Sequence, residues 1–475
     1  MKRKPDGTIG LKALLILLIV VLMIGTGVMI RLSLNLADRQ IQFIPEMTGF
    51  AAMEQTEPSD RDIPTETTQP QPEHVVSTAT IGAMGDLLMH MTIFDDLTKY
   101  NAEVQQSDGS YDFESVFRYL TDYTSAMDFA VANLETTLCS SDNGYAYSGY
   151  PLFNCPDELV DGVKNAGFDL LLTANNHSYD TSLVGMKRTL EVIRDRGLES
   201  LGTYASSDAP KWTIQNINGI RVGMLCYTYA TSVTEDGRPS LNLNAAISEP
   251  GLCNYYTYGN LEAFYTEVSG YLQDMKNEGA EATVIFMHWG QEYILTENAE
   301  QNAIAQKLCD LGVDVIIGGH PHVVQPMELL TSTVAPGKKT VCIYSLGNAV
   351  SNQRKGNLQA ISTAHTEDGV LFSVSFEKYS DGTVYLAGVD VLPTWVNMHN
   401  NQRGKTEYNI LPLDVGVKDR WQSLFNLDAS TVKKAEESWD RTMEILGAGI
   451  EEVKTYLSQE KEDREAYYLE LVTGK

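Results

Sequence analysis

The sequence is short of positive charge. It carries 35 Lys and Arg against 63 Asp and Glu, a net charge of −28. A surface this acidic repels phosphate backbones, which excludes nucleic acid as a general partner and suits cation binding. Thiolate metal ligands are missing as well. The six cysteines, Cys139, Cys155, Cys226, Cys253, Cys309 and Cys342, fit no metal-binding spacing. Cys309 falls in a helical pattern and Cys342 in a strand, so both read as buried small apolar residues. Cys139 and Cys155 flank a Gly/Ser/Tyr-rich loop, where a disulfide is an open alternative. No internal repeat is visible. Histidine is scarce, eight in 475 residues, yet two of the eight stand one residue apart in "VDVIIGGHPHVVQP".

The chain is long enough for a large core, with 43% hydrophobic residues. Lys2, Arg3, Lys4 and Lys12 precede an uncharged run of 18 residues, 13–30. As a helix this run is about 27 Å long, close to the roughly 30 Å of a bilayer core. Its basic flank belongs in the cytoplasm and the rest outside. A cleaved signal peptide has an apolar region of about 7–15 residues. This run is longer and Arg31 follows it, so residues 1–31 read as a cytoplasmic stub and a single-pass anchor in the cell membrane. Residues 32–76 read as a disordered tether, because 54–74 are rich in Pro, Thr, Glu and Gln with almost no apolar content.

From residue 77 strand and helix patterns alternate. "VVSTATIGAMGD", "MDFAVANLE", "FDLLLTANNH", "ATVIFMHWG", "VDVIIGGH" and "KTVCIYSLGN" read as strands. Helical patterns are expected near 114–123, at "PDELVDGVKNAG", at "TSLVGMKRTLEVIRDRG", near 261–277 and at "ENAEQNAIAQKLCDLG". Asn218-Gly219 and Asp381-Gly382 mark hairpins. The fold class is α/β with mixed sheets. The domain spans 77–410, and 411–475 reads as a helical appendage with a solvated face.

Polar residues recur at one address. Asp86, Asn133, Glu135, Asn175, Asn176, His177, His288, His320, His322 and Asn348 each close an apolar strand. In open α/β sheets, ligands bind outside the carboxyl ends of the strands. Any one of these residues could be a turn residue, a helix cap or a satisfied buried histidine. Six strand ends doing the same thing point to a shared metal site. Carboxylate, amide oxygen and imidazole without thiolate suit Mn, Zn or Fe, one or two ions per chain. Gly318-Gly319 lets the chain turn sharply. Alternate residues of an extended segment point oppositely, so His320 and His322 suit two adjacent ion positions.

The ordered motifs "GD", "NLE", "NNHSYD", "HWGQEY", "GGHPHVVQP" and "YSLGN" resemble the capsule-synthesis protein A (CapA) family over about residues 78–360. That resemblance implies a metallo-dependent phosphatase-like, four-layer αββα fold, a membrane anchor and a link to poly-γ-glutamate capsule production. By further likeness to calcineurin-like phosphatases, Asn176, His288, His320 and His322 correspond to metal ligands and His177 to the catalytic histidine. Asp86 corresponds to the first-strand aspartate, and Glu135 stands where a bridging carboxylate is expected. One position so read has Glu135, Asn176, His288 and His320. The other has Asp86, Glu135 and His322; the histidine of the usual Asp-x-His motif is missing, and His90, four residues past Asp86, is an open alternative. His177 is then the proton donor to a leaving group. Glu292, four residues past His288, either orients a ligand histidine or acts as base.

Three functions follow as expectations. The first is a membrane-tethered, metal-dependent hydrolase acting on a capsule polymer. The second is an envelope phosphoesterase. The third is a non-catalytic accessory subunit of a polymer synthase or export complex.

Overall fold

The structure, a computed structural model, describes residues 72–474 apart from 102–105, 235–237, 243–244, 248, 250 and 358–362. The expected anchor and nearly all of the expected tether lie outside the described residues. Among the described residues no helix is long and apolar enough to cross a membrane. Pro70–Lys475 is one compact unit.

It is built on two mixed sheets. The first has eight strands, with the order Thr406–Pro412, Val384–Asn400, Asp368–Tyr379, Val75–Leu87, Phe129–Leu134, Leu170–Leu172, Glu199–Leu201. Asn348–Val350 pairs in parallel beside the end of Val75–Leu87. The strands from Val75–Leu87 to Glu199–Leu201 run parallel. The three on the other side are antiparallel hairpin strands. The second sheet has parallel strands Ile220–Tyr229, Ala282–His288, Val315–Gly319 and Lys339–Leu346 at its centre. Antiparallel Val324–Thr331 closes one edge. Thr213–Ile217 joins Ile220–Tyr229 through Asn218 and Gly219, both at positive φ (52° and 87°), as the Asn-Gly pair predicts.

Burial follows from the strand sequences. Val75–Leu87 alternates half-buried and exposed residues at its start and is wholly buried from Ile81 on, so both faces of its second half are covered. One core lies between the sheets and joins Ile81, Val131 and Phe372 to Met224, Phe286 and Ile317. A second packs the outer face of the first sheet on helices, through Leu159, Val163 and Ile193. A third packs the second sheet on Leu261–Asn277 and Ala299–Asp310, through Val268, Ile304 and Leu308.

Three expectations change. The pattern near 114–123 forms two short turns, Glu114–Phe117 and Thr121–Thr124, separated by Arg118–Leu120. The C-terminal helix Ala429–Thr473 is not detached: Leu446, Ile450, Val453 and Leu457 enter the core between the sheets. Gly449 lies against the second sheet's edge so closely that a Cβ there would be 2.0 Å from Met327 O. Cys139 and Cys155, the open disulfide alternative, carry free thiols. Asn154, the residue before Cys155, accepts from Cys139 N at 2.8 Å and donates to Cys139 O at 2.8 Å. The Cys155 side chain is buried in the core between the first sheet and its helices.

Candidate metal centre

The parallel strands of both sheets end at one place, and their terminal polar residues meet there. Asp86 and Glu135 are fully buried, and His288, His320 and His322 nearly so. Strand ends supply such a site because their backbone groups leave the ladder and their side chains converge outside it.

The second sheet brings in three histidines. His288 is the last residue of its strand. Beyond Gly319 the chain turns through His320 (φ 93°) and His322 (φ 56°). Two histidines at positive φ hold a strained backbone, a feature that clusters at functional sites. The expected roles are therefore exchanged. The turn is made by the histidines themselves, and Gly318 serves close packing, since a Cβ there would be 1.9 Å from Tyr344 O. Because the segment is not extended, the two imidazoles do not point apart, and their centroids are 5.7 Å from each other.

Donor atoms converge on Glu135. Its Oε1 is 3.4 Å from His288 Nε2 and 3.9 Å from His322 Nε2, yet it accepts no hydrogen bond. Asn176 Oδ1 is 2.7 Å from the same His288 Nε2. His320 Nε2 lies 2.9 Å from the Tyr229 hydroxyl, to which it donates when Nδ1 carries the lone pair, and Nδ1 is buried with no partner. Ligand atoms of Glu135, His288 and His320 lie within 4.8 Å of one another. The same holds for Asp86, Glu135 and His322, and for Glu292, His320 and His322. Native interiors rarely leave polar atoms unpaired. An orphaned carboxylate oxygen and an orphaned imidazole nitrogen in one cluster fit a divalent cation, and the donor set is oxygen and nitrogen only.

The Asp86 side is already internally satisfied. Its carboxylate accepts from Asn133 Nδ2 at 2.8 Å, from His320 N at 3.2 Å and from His322 Nδ1 at 3.0 Å. Burial alone would raise the Asp86 carboxyl, but the His322 hydrogen bond and charge outweigh it and hold it below its usual range. Burial would lower His322, and the same bond raises it. Glu135 is pushed well up, first by burial and then by the nearby Asp86 charge. Burial pulls His288 down to about 3 and His320 well below its usual value, which keeps both imidazoles neutral and able to ligate.

His177 stands beside this cluster in a dyad. Its Nδ1 donates to Asp180 Oδ2 at 2.7 Å, and Phe153 packs edge-on at 4.7 Å. Asn242 donates to Asp180 Oδ1 at 2.9 Å. Glu292 is exposed at the mouth of the site. The His90 Nδ1 contacts Leu88 O at 3.2 Å and accepts from Asn352 N at 3.2 Å. It falls in no cluster of potential ligands among the described residues. Asn348 bonds to the His322 carbonyl, Gln353 and Thr366, so it braces the turn. Asn175 does the same for the Asn176 turn, donating to Leu134 O at 2.8 Å. Tyr229, Asp180 and Asn242 were not singled out from sequence. Only Asp180 had a local signal, three residues after His177 in "NNHSYD".

Fold and site together define an α/β protein with a buried histidine–carboxylate centre at the strand ends of two packed sheets. Residues 80–353 match the family described as bacterial capsule synthesis protein PGA_cap, and the chain belongs to that family. It is 27% identical over 321 residues to the capsule biosynthesis protein CapA of Bacillus anthracis, covering 66% of each chain. It is 28% identical over 310 residues to the PGA biosynthesis protein CapA of Bacillus subtilis (strain 168), covering 65% of this chain and 70% of that one. A probable polyglutamine synthesis accessory protein of Mycobacterium tuberculosis is 23% identical over 209 residues, 43% of this chain and 52% of that one. The chain thus spans 66% and 70% of the lengths of the two Bacillus relatives.

Proposed function

We propose that this protein acts in poly-γ-glutamate capsule biosynthesis as a metal-dependent hydrolase that cuts γ-glutamyl amide bonds. In this reading residues 13–30 anchor it in the cell membrane, with the N-terminus cytoplasmic and the domain outside. Synthase or export subunits are its partners, and its fold is of the metallo-dependent phosphatase type. The names of the Bacillus relatives support the pathway. The observation that carries the chemistry is the pair of orphaned donors, Glu135 Oε1 and His320 Nδ1, beside the His177–Asp180 dyad.

Glu135, Asn176, His288 and His320 would hold the first ion, of Mn, Zn or Fe type. Asp86, Glu135 and His322 would hold a second, weaker one, since Asp86 and His322 already satisfy each other. A divalent ion there supplies a Lewis acid that polarises the attacked carbonyl. With Nδ1 committed to Asp180, His177 has Nε2 left to hand a proton to the departing amine nitrogen. Glu292, at the mouth, is placed to take the proton of an incoming water. Turnover of γ-glutamyl oligomers with Mn²⁺, and none of a chromogenic phosphodiester, is the expected result. The reverse preference would make the protein an envelope phosphoesterase.

A second reading is a non-catalytic accessory subunit. The closed Asp86–His322 pair favours it, because a self-satisfied second position suits a single structural ion. Metal-loaded protein that turns over neither substrate would establish this reading over the first.

A further inference from the structure

The metal centre is buried, so an ion has to be carried into it. Glu135 has no exposure, and His288, His320 and His322 are 4% exposed or less. A metal site needs an entry path as well as ligands. A cation entering a buried site gives up its hydration, which is costly unless protein donors replace the lost waters as it moves.

The three ligand triads overlap in a way that supplies such a path. Glu292, His320 and His322 form one of them, and Glu292 is the one exposed member of any triad among the described residues. The other two, Glu135–His288–His320 and Asp86–Glu135–His322, are buried throughout. The outer triad shares His320 with the first of these and His322 with the second. The rings are close together, with centroids 5.7 Å apart for His320 and His322 and 4.7 Å apart for His288 and His320. An ion held by the outer triad therefore reaches an inner one by exchanging some ligands while keeping another. His320, one of the two shared residues, has a buried Nδ1 without a partner, an open donor for an ion.

Glu292 is held beside these histidines by its backbone. Tyr293 N donates to Pro321 O at 2.8 Å, and Trp289 N donates to Gly319 O at 3.2 Å. The two bonds tie the segment carrying Glu292 to the turn that carries His320 and His322. Tyr293 takes φ 67° and packs its ring 6.2 Å from that of His322. An exposed carboxylate on a chain with a net charge of −28 also stands in a field that gathers cations.

We infer that Glu292 is the entry ligand of the metal centre: with His320 and His322 it captures a divalent cation at the mouth and passes it to the buried triads. This rests on the metal reading of the centre and not on any substrate. Once the ion has moved in, Glu292 is free again to meet an incoming water.

The test uses Zn²⁺ and the full-length protein in detergent, first stripped of metal. Uptake is followed by stopped flow with a fluorescent Zn²⁺ indicator, and release by mixing loaded protein with excess chromogenic chelator. An entry ligand lowers the barrier between free and bound ion, so it speeds both directions and leaves the equilibrium alone. Glu292→Gln should slow uptake and release alike, by roughly tenfold or more, with Kd unchanged. The side chain is exposed, so the melting temperature in chelator should be that of the parent. The rate difference should persist at 1 M salt, where unbound charges act over only about 3 Å. Equal rates in variant and parent would overturn the entry role. A weaker Kd with faster release would also overturn it, by making Glu292 a ligand of the final site. A rate difference that vanishes at 1 M salt would do the same, by reducing Glu292 to a remote attraction. The two readings fail separately. Parent protein that takes up no Zn²⁺ at all would sink the metal centre, and the entry role with it. Zn²⁺ that loads and stays equally well in parent and variant, at equal rates, would sink the entry role alone.

Discussion

Glu135 is a carboxylate with no exposure and one oxygen without a partner. A buried carboxyl group with an unpaired oxygen is destabilising, and a cation could complete it. Glu135→Gln should therefore abolish metal binding while leaving metal-free stability equal or higher, as measured by thermal unfolding in chelator. A large drop in metal-free stability would mean that Glu135 is held by protein contacts alone. His177 makes the opposite case. Its Nδ1 is held by Asp180 and not by the ligand cluster, so His177→Ala should lose about a hundredfold or more of turnover with metal content unchanged. Loss of metal would reassign it as a ligand. These chemistry-bearing residues were legible because strand ends are recognisable in sequence. Tyr229 and Asn242 were not, since each reaches the site from a segment that only tertiary packing brings near. His90 looked eligible by spacing, but backbone groups of Leu88 and Asn352 engage its Nδ1, and it joins no ligand cluster among the described residues.

Secondary-structure elements explain why the donors converge. The strand Val315–Gly319 must pass close to Lys339–Leu346 for His320 and His322 to turn inward, and Gly318 permits that approach. Gly318→Ala should cost about 3 kcal/mol or more by urea unfolding, because its Cβ would meet backbone, which cannot rotate away. A neutral result would show that the sheet has slack there. In the C-terminal helix, the apolar residues Leu446, Ile450, Val453 and Leu457 recur with helical spacing. Sequence disclosed the helix but not the partner it covers, so it read as an appendage. Leu446→Ala, at a position with no exposure, should destabilise the whole domain by about 2–5 kcal/mol in one cooperative transition. An independent early transition of the helix would restore the appendage. The alternating strand and helix patterns gave the α/β class directly. The split of the strands into two sheets was not readable, because buried strands of either sheet look alike in sequence.

Over the whole molecule, a chain with a net charge of −28 carries a centre whose buried histidines and carboxylates could hold a divalent ion. That agrees with composition, since an acidic chain attracts divalent ions. The metal centre is the claim on which the rest depends. It is tested most directly by elemental analysis of the purified full-length protein after dialysis, alongside Glu135→Gln. The expected result is one tightly retained Mn, Zn or Fe ion per chain, a second appearing only at higher metal concentration, and neither in the variant. Folded parent protein that retains no metal even after loading, or a variant that retains as much as the parent, would contradict it.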